Sequence, residues 1–223
     1  MVTGDRQVPA SLLSAVRRDL RPVRPLAAPL RRALALLPIG LALLVAVPAA
    51  WGWRDNFSAL GLAAAWGLSG LQTLAGLLMV GAALREAVPG RELSARYVAA
   101  TLGAAAALFV GSTLATDQLA PVVPPSVWVS DAWECLWREA VSSLPALAAA
   151  VWLASRALPS RPALAGVIYG LGAGLMTEAG VRLFCRESTP AHVLLSHGGA
   201  ILLLGVAGAL IATLVEKWKA RNH

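Results

Sequence analysis

A chain of 223 residues with 57% hydrophobic and only 14% charged side chains lacks the polar surface of a soluble domain, where roughly 25% charged is usual. The net charge is +7, but the basic residues sit in short segments between apolar runs and not on one soluble face. That excludes direct nucleic-acid binding and leaves the lipid bilayer as the medium for most of the chain.

The first segment is polar and Arg-rich, and apolar sequence begins only near Ala33, so no cleavable signal peptide is expected. Within it, Pro9–Leu20 has the spacing of a short helix. Leu12, Leu13, Val16 and Leu20 share one face, with Arg17, Arg18 and Asp19 opposite. The stretch through Pro22, Val23 and Pro25 cannot continue that helix, because prolines remove donors and push their predecessors toward extended backbone. A helix of about 12 residues is marginal alone in water. It either lies on an anionic leaflet through its arginines or folds into a protein groove through its apolar anchors.

Six apolar runs follow, at about 33–51, 58–84, 95–116, 140–157, 162–181 and 191–214. Each approaches the roughly 20 residues that cross a bilayer as helix. The second is long and Gly-rich, hence tilted or late to start, and the fourth is short. Pro38, Pro48 and Pro145 predict kinks within spans, not breaks. The predicted fold is all-α, a polytopic membrane bundle of about six transmembrane helices with both termini inside. Residues 1–32 form a cytoplasmic partner-binding segment, 33–214 the transmembrane domain and 215–223 a cytoplasmic tail.

Charge sets that orientation. Of 19 Lys and Arg, only Arg54, Arg138, Arg182 and Arg186 fall outside, leaving 15 inside. The 117–139 loop, with Asp117, Asp131, Glu134 and Glu139, suits the outer face. Trp51, Trp53, Trp128, Trp133 and Trp137 lie near the outer interface and Trp218 near the inner one.

Small residues recur inside the last two spans: Gly166, Gly170 and Gly174, then Gly198, Gly199, Gly205 and Gly208. Such faces let two helix backbones approach closely, either within the chain or across a homodimer. Glu178 is the single acid inside a predicted span. It pairs with Arg182 one turn on, or it marks a site, as intramembrane ionisable groups do. No zinc-protease helix, nucleophile elbow or P-loop occurs. Neither an enzyme nor a cofactor is expected, and the choice lies between a binding protein and a small transporter or channel.

Cys135 and Cys185 fall at the same predicted face, which permits a disulfide if that face is periplasmic. His192 and His197 lie nearby in sequence and make the four a weak metal candidate, because the spacing fits no zinc pattern. A redox pair, a metal site and two unlinked thiols all stay open. Taken alone, the histidines fit interfacial packing.

The order of several motifs resembles a known family. These are Asp19-Leu20-Arg21-Pro22-Val23 before the first span, Ala87-Val88-Pro89-Gly90-Arg91 after the second, and Cys135-Leu136 followed by Pro145. The longest is Arg161-Pro162-Ala163-Leu164-Ala165-Gly166, leading through Cys185 and Pro190 to a Gly/Ala-rich last span. The chain resembles the polytopic anti-sigma factors of the NrsF (negative regulator of sigma F) type over nearly its whole length. The resemblance implies a protein that holds an extracytoplasmic-function sigma factor at the bacterial inner membrane and releases it on an envelope, redox, metal or light signal. It makes the 9–26 segment the sigma-binding part and Cys135 and Cys185 the sensing thiols. It extends to the light-responsive repressors of carotenoid synthesis, which would make singlet oxygen the trigger. Where the family often has His before its second Cys, this chain has Phe184, which favours a plain thiol role over metal ligation.

Overall fold

The computed structural model describes residues 9–19, 26–55, 57–119 and 128–222, all of them in helices or the turns between. The helices are α1 (Ala10–Asp19), α2 (Pro29–Leu34), α3 (Leu37–Trp51), α4 (Phe57–Leu60), α5 (Leu62–Glu86) and α6 (Ala95–Leu119). They continue as α7 (Trp128–Ser142), α8 (Leu144–Ser155), α9 (Pro162–Val181), α10 (Pro190–His192) and α11 (Gly198–Asn222). A single π-helical turn, Val193–His197, joins α10 to α11.

Among the described residues, five segments are long and apolar enough to cross a membrane: Pro29–Trp51, Leu62–Glu86, Ala95–Leu119, Pro162–Val181 and Pro190–Asn222. The sixth expected span is α8, only 12 residues long, carried on from α7 through Ser143. The prolines explain the local breaks. Pro38 and Pro145 stand in the first turns of α3 and α8, where a missing N–H costs nothing. Each therefore restarts a helix instead of bending one. Pro48 alone lies inside a helix. Gly61, with φ +76°, delays α5 to Leu62.

The axis of the bundle is α9. In its most apolar window 83% of residues are buried, against 22% for α6. Glycine makes this possible. A Cβ on Gly166 would collide with Gly208 O of α11, and one on Gly170 with Leu204 O. On the α5 side, a Cβ on Gly76 would stand 2.5 Å from Gly172 O. Tyr169 fits the same seam by donating its hydroxyl to Gly208 O at 3.0 Å. In lipid there is no hydrophobic drive between helices, so this close van der Waals fit is what holds them. Of the glycines expected to serve packing or a homodimer, Gly166, Gly170, Gly174, Gly205 and Gly208 are buried against helices of the same chain, while Gly198 and Gly199 are half-buried.

One end of the bundle carries the start of α2 and the end of α8. Buried Arg32 donates through Nη2 to Leu153 O near the α8 C-terminus. Lys219 Nζ donates to Ser155 O at 2.6 Å and Ala157 O at 3.2 Å, capping the same helix end. Buried Glu86 accepts from Arg161 Nε at 2.7 Å and Nη2 at 2.8 Å, and from Leu93 N at 2.7 Å. Glu86→Ala is expected to cost about 1–3 kcal/mol by orphaning that backbone donor, read as a lower melting temperature in detergent.

Candidate functional site

Cysteines and histidines meet at the opposite end. Cys135 comes from α7, Cys185 from the turn after α9, His192 from α10 and His197 from the π-helical turn. Arg54 secures the loop that holds Cys185. Its N–H reaches Leu183 O at 3.2 Å, and its guanidinium reaches Arg182 O at 3.3 Å and Ser188 Oγ at 3.2 Å. The π turn adds one residue to the helical ladder, the kind of irregularity that re-aims side chains at functional sites. It ends on His197, which points inward and is 2% exposed.

The four donors form one buried cluster. Sγ of Cys135 and Cys185 are 3.6 Å apart, and Cys185 Sγ is 3.6 Å from His192 Nε2. One donor atom from each of the four residues lies within 4.8 Å of the others. A tetrahedral ion with thiolate bonds near 2.3 Å and imidazole bonds near 2.0–2.1 Å sets its donors roughly 3.3–3.8 Å apart. Both sulfur contacts already fall in that range. His197 Nδ1 is taken by Glu178 Oε2 at 2.7 Å. That leaves His197 Nε2, buried and without a hydrogen bond among the described residues, to face the thiols.

The thiols lie beyond the ends of the crossing segments and are not equivalent. The contact with Cys185 pulls the Cys135 thiol down to about 6 against the opposing effect of burial. The same contact, with burial, pushes Cys185 up. Cys135 is thus the thiol of the pair favoured to ionise, and the thiolate is the form that ligates metals and attacks oxidants.

Beneath the cluster lies a polar network that the sequence showed only in part. The expected Glu178–Arg182 pair is present at 3.4 Å. Arg182 also donates to Gln72 Oε1 at 3.1 Å on α5, and to Ser112 O at 3.1 Å and Thr116 Oγ1 at 2.6 Å on α6. Glu139, assigned to an outer loop by its sequence neighbours, is fully buried 4.0 Å from His197 Nδ1. Neither of its oxygens has a hydrogen-bond partner among the described residues. Its spacing of four from Cys135, one helical turn, was the signal that both share a face. Above the cluster a cavity of about 450 Å³, walled by Trp51, Arg54, Glu134, Arg138 and Glu187, opens onto both cysteines. Arg138 spans its wall, 2.8 Å from Glu134 and stacked over Trp51 and Phe184.

The expected partner-binding residues lie apart from this cluster. In α1, Leu12, Leu13 and Val16 are 56%, 45% and 52% exposed, so the apolar face covers nothing in the bundle. Arg17 and Arg18 are exposed as well. Asp19 ends the helix, while Leu20, Pro22 and Val23 lie outside the described residues.

Residues 17–218 match the family model for NrsF, negative regulator of sigma F. The chain belongs to the NrsF family. No curated protein and no solved structure matches it. Membership makes this NrsF protein an anti-sigma factor, with a sigma factor as its partner. The family is one of regulators, which favours a binding role over the transporter or channel alternative.

Proposed function

We propose that this NrsF protein holds an extracytoplasmic-function sigma factor at the inner membrane and releases it when the Cys135–Cys185–His192–His197 cluster takes up a soft or borderline metal ion. The observation that carries the sensing half is the convergence of two sulfurs and two imidazoles in one buried cluster, with donor atoms within 4.8 Å of one another. The capture half is supported by the unpartnered apolar face of α1. A short helix that folds into a groove on its target trades affinity for reversibility, which suits a switch. The excess of Lys and Arg at the α1 end supports a cytoplasmic position for that helix and an external one for the cluster. A second reading, oxidation of Cys135 and Cys185 to a disulfide, is favoured by their 3.6 Å contact.

A promoter reporter tests both halves. Leu12→Asp with Val16→Asp is expected to raise uninduced expression at least about tenfold, because two charges cannot enter an apolar groove. Unchanged repression would refute capture by α1. His197→Ala is expected to keep repression and lose induction by soft metal salts, while leaving induction by the thiol oxidant diamide. Metal induction that persists in that variant, with diamide still inducing, would instead support the disulfide reading.

A further inference from the structure

The cluster has four donors, yet its geometry depends on a fifth side chain that does not face it. His197 must present the lone pair of Nε2 to the thiols, and an imidazole does so only when the proton resides on Nδ1. Glu178 Oε2 sits 2.7 Å from Nδ1. An anionic acceptor there holds the proton on that nitrogen and fixes the ring plane. Metal-bound histidines are commonly oriented this way, by a carboxylate on the nitrogen away from the ion.

A rival explanation is that Glu178 only neutralises Arg182. Distances argue against it. The carboxylate stands 2.7 Å from the imidazole but 3.4 Å from the guanidinium. Arg182 satisfies its donors elsewhere, on Gln72 Oε1, Ser112 O, Ser112 Oγ and Thr116 Oγ1, at 2.6–3.1 Å. Held by α5 and α6, Arg182 is a fixed post against which the second oxygen of Glu178 rests. Glu139 does not duplicate the role, since its nearest oxygen is 4.0 Å from the same nitrogen. Two thiolates would offset the charge of a divalent ion, and Glu178 stands opposite Arg182.

We propose that Glu178, braced by Arg182, is the positioning residue of the metal-accepting cluster, fixing His197 so that Nε2 completes an S2N2 site for a divalent cation. The inference rests on the metal reading above. It also assigns Glu178, a buried acid within α9, a task other than ion transport.

The test is anaerobic titration of the reduced full-length protein in detergent with Co(II), against a competing chelator. The wild type is expected to bind one Co(II) with tetrahedral d–d bands and thiolate-to-cobalt charge-transfer absorption. Glu178→Gln, which preserves size, is expected to keep the charge-transfer bands, shift the d–d bands and bind roughly 10- to 100-fold more weakly. Glu178→Ala should do the same where it folds. The melting temperature of the metal-free protein separates positioning from scaffolding. A lowered melting temperature with unchanged Co(II) affinity and spectrum would overturn the proposal and leave the metal reading standing. Absence of charge-transfer absorption in the wild type would overturn both.

Discussion

Gly170→Leu is expected to abolish the folded protein. The Cβ alone would enter the van der Waals sphere of Leu204 O and lie 3.0 Å from Gly205 Cα, both of them backbone atoms that no rotamer change can move. Overpacking a well-filled core by small additions typically costs about 1–3 kcal/mol, and here α11 must shift away from α9 along its length. That separation also breaks the Tyr169–Gly208 hydrogen bond and moves the π turn that carries His197. Size-exclusion chromatography in detergent should show aggregate in place of a single peak. Gly103→Ala on α6 is the control. Nothing lies within 4 Å of its added Cβ, so its stability should stay within about 0.5 kcal/mol of the wild type. A monodisperse Gly170→Leu protein with native melting temperature would refute the packing role of the glycine face.

Arg182→Leu carries the second large effect. The guanidinium is 4% exposed and ties α9 to Gln72, Ser112, Thr116 and Glu178. Removing one partner of a buried pair strands the other charge, typically at about 3–5 kcal/mol. Replacing both, as Arg182→Leu with Glu178→Leu, removes the stranded charge and should recover much of that loss. Denaturation of the four proteins of the double-mutant cycle gives the coupling directly. Additive effects would mean that the pair contributes nothing beyond its separate contacts. The same cycle reports on α6, which packs little against the bundle and receives its main polar anchor from Arg182.

Much of the architecture was legible in the chain. Run length and low charge required helices in a bilayer, and five of the six expected runs are crossing helices by length and composition. The shortest run, at 140–157, was the weak point of the topology. Ser143 and Pro145 divide it into the end of α7 and the short α8, which still connects Cys135 at one end to Leu153 and Arg32 at the other. Proline positions were legible as disturbances but not as restarts, because that depends on where the preceding helix happens to end. The apolar face of α1 was readable from spacing alone, and so was the Glu178–Arg182 pair, since both are local.

The sequence by itself determined the lipid-facing composition, the helical class, the family motifs and the charge asymmetry, all properties of residues and their near neighbours. Only the tertiary structure decided what the cysteines and histidines are to one another. Cys135 and Cys185 are 50 residues apart in sequence and 3.6 Å apart in space. Their meeting depends on α7 and the end of α9 packing at the same level, and no spacing rule encodes that. It likewise decided that His197 faces Glu178 through one nitrogen and the thiols through the other, because a π turn rotates it inward. Glu139 was hidden for the opposite reason. Its neighbours in sequence are polar, and only the fold shows that its side of α7 is the buried one.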